Sequence, residues 1–180
     1  HTCNELNASH VGQSVILSGW IAYKRDQGGI LFLVLRDHYG ITQLAVENDE
    51  DCFDTLNSLR VESTVRVEGE VIARPESQIN PAMNTGEIEV KVSAVRVLST
   101  SDVLPFPIVD DPKVNEAIRM ENRFLDLRRD PVHRNIVLRS QVISFIRREM
   151  TEMGFLEIQT PILTVSSPEG ARDYLVPSRV

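Results

Sequence analysis

Residues 27–44 read QGGILFLVLRDHYGITQL, two apolar segments on either side of a short DHYG turn. Alternation of apolar and polar residues is typical of strands with one buried face, so this stretch predicts a β-hairpin. One face would carry only aliphatic residues, at positions 31, 33, 35, 44 and 46. The opposite face would carry Phe32 together with Arg36, Gln43 and Glu47. Packing in the hydrophobic core does not explain why a large aromatic side chain would lie on the polar face.

The composition of the 180 residues is that of an ordinary globular protein, with 42% hydrophobic and 25% charged residues. No segment approaches the roughly 18 apolar residues of a membrane-spanning helix, and no signal peptide is visible. Cys3 and Cys52 lack the spacing of a disulfide framework or a metal site, so we expect a cytoplasmic protein without a structural metal. The net charge of −7 predicts that any nucleic-acid contact is local and shape-selective.

The hairpin is part of a longer series of predicted strands. Alternating segments at residues 14–22, 64–74 and 86–98 add three strands, and residues 49–61 have the apolar spacing of a helix. Gly19 and Gly69 lie inside the first and fourth strands, where a strongly coiled sheet needs close backbone approach. Three strands, a helix and two strands form the order of the OB-fold, a five-stranded Greek-key barrel. The helix favours this fold over other small barrels.

The OB-fold suggests a role for the aromatic residue. These barrels bind oligonucleotides across their second and third strands, and aromatic side chains there stack on unpaired bases. If Arg36 lies opposite Ile41, Gln43 is one diagonal step from Phe32 on the same face. An aromatic ring beside an amide is suited to reading a single unstacked base.

A basic segment precedes the hairpin. We expect Tyr23, Lys24 and Arg25 to lie on the loop that enters the second strand, where the two cations could meet backbone phosphates. Two plainer interpretations stay open at this point. Such a loop is often simply solvated, and an outward aromatic residue such as Phe32 is often covered by another element.

The last seventy residues predict the start of a second domain. Two prolines between residues 99 and 108 indicate a stiff connector. Asp130, as N-cap, and Pro131, at the first helical position, would begin a long amphipathic helix that ends before Gly154. A strand at residues 155–160 would follow and end at Pro161. In the loop after it, the carboxylate of Glu169 could close over an ammonium group.

Several motifs together carry a family resemblance over all 180 residues. They are GW at 19–20, the Phe32 and Gln43 hairpin, TGEIEV at 85–90, FLDLRR at 124–129, GFLEIQTPIL at 154–163 and SPEGARDYLVPSRV at 167–180. The chain resembles the aspartyl-tRNA synthetases of the bacterial type. The resemblance implies a mostly β fold with α elements: an OB-fold anticodon-binding domain at residues 1–103, a hinge at 104–130, and the start of a class II α+β catalytic domain at 131–180.

The resemblance also implies roles for individual barrel residues. Phe32 would stack on the middle anticodon base, a uridine, and Gln43 would hydrogen-bond to it. Glu89 would face the first anticodon base, and Arg25 would support the anticodon loop.

In the second domain, the helix and strand look like class II motif 1, which forms a homodimer interface and ends at Pro161. Glu169 matches the loop carboxylate that meets the amino group of the substrate aspartate. The whole enzyme would use ATP and Mg²⁺ to form aspartyl-adenylate and would then charge tRNA-Asp. The residues that hold ATP and Mg²⁺ belong to motifs 2 and 3, which this sequence lacks, so we expect this chain alone to be inactive.

Two questions stay open after the resemblance. The residues do not decide whether tRNA-Asn is charged as well. The alternative functions are a stand-alone OB-fold module for single-stranded nucleic acid with a dimerising helix, and a protein-interaction barrel in which Phe32 is covered. A pure binding module has no need of the Glu169 loop or of the helix that leads to Pro161.

Overall fold

A computed structural model of the chain describes residues 1–48, 50–111, 113–163 and 176–177. It divides into two compact units, His1–Asp126 and Leu127–Val180. Within the described ranges, no helix has the length and apolar character needed to cross a membrane.

The first unit is built on a five-stranded sheet. Its strands are β1 (Ser14–Asp26), β2 (Ile30–Arg36), β3 (Ile41–Glu47), β4 (Thr64–Ala73) and β5 (Ile88–Ser99). They close into a ring in the order β1-β2-β3-β5-β4; β3 and β5 pair in parallel, and the other neighbours are antiparallel. Helix α1 (Phe53–Ser58) connects β3 to β4. This is the predicted OB-fold.

The interior of the ring confirms the predicted alternation. Over most of their length the strands turn every second residue inward, and burial of these aliphatic side chains is the main stabilising contribution. The buried strand residues include Val15, Leu17, Ile21, Leu31, Leu33, Leu35, Leu44, Val46, Val65, Val67, Val71, Ile88, Val90 and Val92. Cys3 and Cys52 are buried free thiols that belong to this core, and burial raises the pKa of Cys3 to about 12.

The two predicted strand glycines lie where neighbouring backbones come close. A Cβ atom on Gly19 would be 2.3 Å from the carbonyl oxygen of Arg36, and one on Gly69 would be 2.3 Å from that of Lys91. Neither distance is compatible with a side chain. The glycines therefore permit the tight coiling that closes five strands into a ring.

Helix α1 is shorter than the predicted range of residues 49–61. It covers six residues, and Leu59 after it has extended backbone geometry. Phe53, Leu56 and Leu59 are nevertheless all buried, as their spacing indicated. The apolar spacing therefore predicted which side chains enter the core, but it overestimated the length of the helix.

Two short helices follow the connector: α2 (Glu116–Glu121) and α3 (Arg123–Asp126). Asp126 is fully buried and pairs with Arg123 and with Arg119, whose Nη1 lies 3.7 Å from its Oδ1. Because a buried carboxylate needs such partners, part of the basic segment near residue 124 serves the fold.

The second unit contains helix α4 (Asp130–Glu152). The predicted cap was wrong in detail: Arg129 is the N-cap, and Asp130 and Pro131 both lie in the first turn, where an acidic side chain favours the helix dipole. Gly154 follows the helix with a φ of +90°, a conformation that suits glycine at a helix end.

The predicted strand at residues 155–160 is not formed. These residues have no strand pairing among the described parts of the chain, and Leu156 is 87% exposed. A strand needs a neighbour for its backbone hydrogen bonds, and alternation alone cannot supply one. Pro161 is exposed after this segment. Glu169 lies outside the residues that the structure describes.

Candidate nucleic-acid interface

The outer face of β2 and β3 has the predicted register. Arg36 pairs with Ile41, Phe32 with Ala45, and Val34 with Gln43. Phe32 and Gln43 are therefore diagonal neighbours on one face, and both are partly exposed. The ring of Phe32 is not sealed in the core, which contains the leucines on either side of it.

Strand β1 adds a third row to this face through a β-bulge. Ile21 pairs with Leu35, but Tyr23 pairs with Val34, so one additional residue, Ala22, lies opposite β2. Without the bulge, regular pairing would bring Lys24 opposite Phe32. With it, Arg25 pairs with Phe32, and Tyr23, 57% exposed, lies one step away. A bulge thus selects which basic side chain flanks the aromatic ring.

The prediction that Tyr23, Lys24 and Arg25 lie on a loop is therefore wrong, because all three belong to β1. Lys24 also differs from its predicted role. Its Nζ donates hydrogen bonds to the carbonyl oxygens of Asn57 and Leu59, both at 2.6 Å. These carbonyls lie at the end of α1 and lack helical partners, so Lys24 caps that helix.

Gln43 is oriented by a buried charge pair, which is formed by Glu89 on β5 and by Arg74, the residue after β4. Its Nε2 donates a hydrogen bond of 2.8 Å to Oε2 of Glu89, which is only 8% exposed. The same Glu89 oxygen lies 3.8 Å from Nε of Arg74, whose side chain is 3% exposed. Nε of Arg74 also donates to the carbonyl oxygen of Ile88 at 2.9 Å. Glu89 is therefore engaged within the protein on two sides.

Sequence reasoning did not identify Arg74. Burial lowers the pKa of Arg74, and the negative charge of Glu89 opposes that shift. The local sequence offers no signal for this residue, because an arginine at a strand end is usually solvated. Its burial follows from the pairing of its neighbour Ala73 with Ile88, which only the closed sheet reveals.

Arg36 is another basic residue of this sheet, but it has partners within the fold. Its Nη2 lies 2.7 Å from both carboxylate oxygens of Glu62, and its guanidinium lies 5.8 Å from the ring centre of Trp20. Arg25, in contrast, is exposed beside the aromatic ring. Arg25 is therefore better placed than Arg36 to contact a ligand.

Two loops border the face. The turn between β1 and β2 contains Gly28 and Gly29, both with positive φ. The longer connection from β4 to β5 is held to β3 by Thr85, whose hydroxyl donates to the carbonyl oxygen of Ile41 at 2.9 Å. In OB-folds these two loops and the face of strands two and three form the ligand site.

The assembled face combines a flat apolar ring, an amide and a cation. The ring of Phe32 can stack on a base, the amide of Gln43 can hydrogen-bond to its edge, and Arg25 can meet a phosphate. Among the residues described, no group of three His, Cys, Asp or Glu side chains could hold a metal ion. A ring, an amide and a cation on one face are groups with which an OB-fold can recognise single-stranded nucleic acid.

Two family models match the chain. Residues 15–98 match the OB-fold nucleic acid binding domain, and residues 115–180 match the tRNA synthetases class II (D, K and N). The first range contains the whole face described above.

Similar curated proteins carry related names. The chain is 58% identical over its full length to the aspartate–tRNA(Asp/Asn) ligase of Phenylobacterium zucineum and covers 30% of that protein. It is 56% identical to the aspartate–tRNA ligase of Streptomyces avermitilis, again over its full length, and covers 31% of it. The chain thus spans about 30% of the length of the curated relatives it matches.

Solved structures resemble the chain as well. The asparaginyl-tRNA synthetase of Pyrococcus horikoshii, complexed with asparaginyl-adenylate, aligns with a TM-score of 0.80 at 26% identity, covering 95% of this chain and 38% of that one. The aspartyl-tRNA synthetase of Entamoeba histolytica aligns with a TM-score of 0.82 at 22% identity, covering 93% and 41%. At 22% identity, the similarity to the Entamoeba histolytica structure shows a shared fold and no more.

Proposed function

Because this chain belongs to the aspartyl-tRNA synthetase family, we propose that it is part of an aspartate–tRNA ligase and binds the anticodon of tRNA-Asp. The closed sheet would supply this binding. tRNA-Asn is a second candidate substrate, because some relatives are named for both tRNAs and others for tRNA-Asp alone. The parent enzyme would work in the cytoplasm.

The proposal assigns a role to each residue of the face. Phe32 stacks on the middle anticodon base, a uridine, and Gln43 hydrogen-bonds to its Watson–Crick edge. Arg25 contacts the backbone of the anticodon loop, and Glu89 faces the first anticodon base. Since Glu89 is already bound to Gln43, its contact with RNA would be shared with that amide.

One observation supports the proposal most strongly. Arg25, Phe32 and Gln43 come from three different strands, and the pairing of those strands brings them together on one partly exposed face. The bulge in β1 is needed for this arrangement. A barrel with a purely structural role has no need to gather a ring, an amide and a cation on one outer face.

The second unit would contribute to the catalytic domain and to a homodimer. Helix α4 has no buried residue, although it carries an apolar stripe, Ile136, Ile143, Ile146 and Met150, which Met153 continues directly after the helix. A second subunit could cover this stripe, with Pro161 near the interface. We assign residues 1–103 to the anticodon-binding domain, 104–130 to the hinge and 131–180 to the catalytic domain, where Glu169 would meet the amino group of aspartate.

ATP use follows from the class II synthetase family. We propose that Mg²⁺ accompanies ATP and that residues outside this chain hold both. ATP would supply the adenylyl group that activates the carboxylate of aspartate, with pyrophosphate as the leaving group, while the residues described here bind and position the tRNA.

Titration with two RNA hairpins tests the proposal. The hairpins have the anticodon loop of tRNA-Asp and differ only in the middle base, uridine or cytidine. We expect the 180-residue chain to bind the uridine hairpin more tightly by about tenfold, since one hydrogen-bonded edge contributes about 1–3 kcal/mol of discrimination. Equal affinity for the two hairpins would contradict base reading by this face.

A further inference from the structure

A buried arginine lies behind the proposed base-reading amide. Arg74 is the first residue after β4, and its side chain is 3% exposed. Its Nη2 is buried and has no hydrogen-bond partner among the residues that the structure describes. A buried donor without a partner lowers the free energy of unfolding. A buried arginine with such a donor therefore needs an explanation other than stability.

The carboxylate of Glu89, which lies next to Arg74, suggests this explanation. Buried charges are kept where they are paired, and the group that faces Arg74 is Glu89, at 3.8 Å. An ionised carboxylate accepts hydrogen bonds but cannot donate them. The amide of Gln43 must then turn its NH₂ group toward Glu89, as observed at 2.8 Å.

The orientation of this amide has a consequence for recognition. A glutamine side chain is nearly symmetric in shape, and a free one can present either its oxygen or its nitrogen to a ligand. With Nε2 bound to Glu89, Oε1 is the group left to accept a hydrogen bond. Uracil offers an N–H donor at N3, whereas cytosine offers an acceptor at that position. A fixed acceptor therefore matches uracil and opposes cytosine.

We propose that Arg74 is a positioning residue for specificity: through Glu89 it fixes the amide of Gln43 with its oxygen toward the base and thereby favours uridine over cytidine. This inference rests on the proposed function, because it presumes that Gln43 reads a base. Arg74 does not touch the RNA in this account. It acts through two other side chains, as supporting residues do around many recognition sites.

Three variants separate this role from general stabilisation. Arg74→Met keeps an unbranched apolar side chain and removes the charged guanidinium group, while Arg74→Lys keeps the charge. Arg66→Met is the matched control, because it makes the same charge change within β4, the strand that leads to Arg74, but the partner of Arg66 is Glu68, at 3.0 Å. All are measured in the 180-residue chain with the uridine and cytidine hairpins.

We expect Arg74→Met to lower the uridine-to-cytidine affinity ratio by about three- to tenfold, the effect of one hydrogen bond. Arg74→Lys should restore most of the ratio, and Arg66→Met should leave it unchanged. An unchanged ratio in Arg74→Met, or an equal loss of affinity for both hairpins, would overturn the inference. If the wild-type chain itself does not distinguish the hairpins, the proposed function fails, and the inference fails with it.

A measurement without RNA makes the two failures distinguishable. In ¹H–¹⁵N spectra, the side-chain amide protons of Gln43 should have hydrogen-bonded shifts in the wild-type chain and free-amide shifts in Arg74→Met. Should Arg74→Met not fold, Glu89→Gln serves instead, because it removes the acceptor-only partner and should lower the same ratio. Gln43 shifts that stay unchanged in the folded variant would contradict the orienting role of Arg74.

Discussion

The two halves of strand β1 belong to different outer walls of the same sheet. The first half, from Ser14 to Trp20, pairs with β4, where Ile16 lies opposite Glu68. The second half, from Tyr23 to Asp26, pairs with β2. We call the outward surface of the first half of β1 and β4 the β4 wall, and the outward surface of the second half of β1 and β2 the β2 wall. The first half contributes Val15 and Leu17 to the core, whereas no residue from Tyr23 to Asp26 is buried, and the two walls also differ in what they present outward.

The β4 wall presents acidic groups. Glu68 and Glu70 are exposed there, and with Glu50 they border a groove of about 450 Å³. Lys91 also lines this groove, but it pairs with Glu47, so the three glutamates would repel an RNA backbone at this surface. The β2 wall presents Arg25 and Phe32 instead. The comparison shows why a net charge of −7 is compatible with RNA binding: the charge is unevenly distributed, and the acidic wall disfavours the wrong side of the sheet.

The largest expected difference between the walls concerns their exposed apolar side chains. Phe32→Ala should weaken binding of the uridine hairpin by about 1–3 kcal/mol, the usual contribution of a stacked base. Ile16, 46% exposed on the β4 wall, provides the control, and Ile16→Ala should leave the affinity unchanged. Fluorescence anisotropy titrations measure both. If the two substitutions weaken binding equally, the distinction between the walls is wrong.

A smaller effect should separate two neighbours within the β2 wall. Lys24→Met removes two hydrogen bonds to the end of α1 and should lower the free energy of unfolding by about 1 kcal/mol, whereas Arg25→Met should change it little. Urea unfolding of the two variants gives this difference. Equal stability would show that Lys24 does not act as a helix cap.

The smallest expected effect is on the salt dependence of binding. Removing one phosphate contact should reduce the slope of log K against log[salt] by about 0.7–1, so we expect this change for Arg25→Ala. Arg66→Ala on the β4 wall should leave the slope as it is, because Arg66 pairs with Glu68 there. A matching change of slope in both variants would place RNA on both walls.

Features that depend on local pattern could be predicted from the sequence. The alternation in residues 27–44 predicted the burial of Leu33 and the diagonal placement of Phe32 and Gln43, because side-chain direction in a strand follows from a period of two. The order of elements predicted the OB-fold. The two strand glycines were predicted because only glycine tolerates a backbone at the distance observed at Gly19.

Features that depend on contacts between distant segments could not be predicted. The bulge at Ala22 arises from the way β1 passes from β4 to β2, and it decides that Arg25 rather than Lys24 flanks Phe32. The burial of Arg74 likewise depends on the pairing of β4 with β5. The strand predicted at residues 155–160 failed for the same reason, since the pattern could not supply a neighbouring strand.

The central claim is that an unstacked pyrimidine lies against the ring of Phe32. Photocrosslinking tests this most directly: an anticodon hairpin with 5-iodouridine at the middle position is irradiated in complex with the 180-residue chain, and the linked peptide is sequenced. The account predicts a crosslink at Phe32 on the β2 wall. A crosslink that maps to the β4 wall, or to any residue outside the face of β1, β2 and β3, would contradict it.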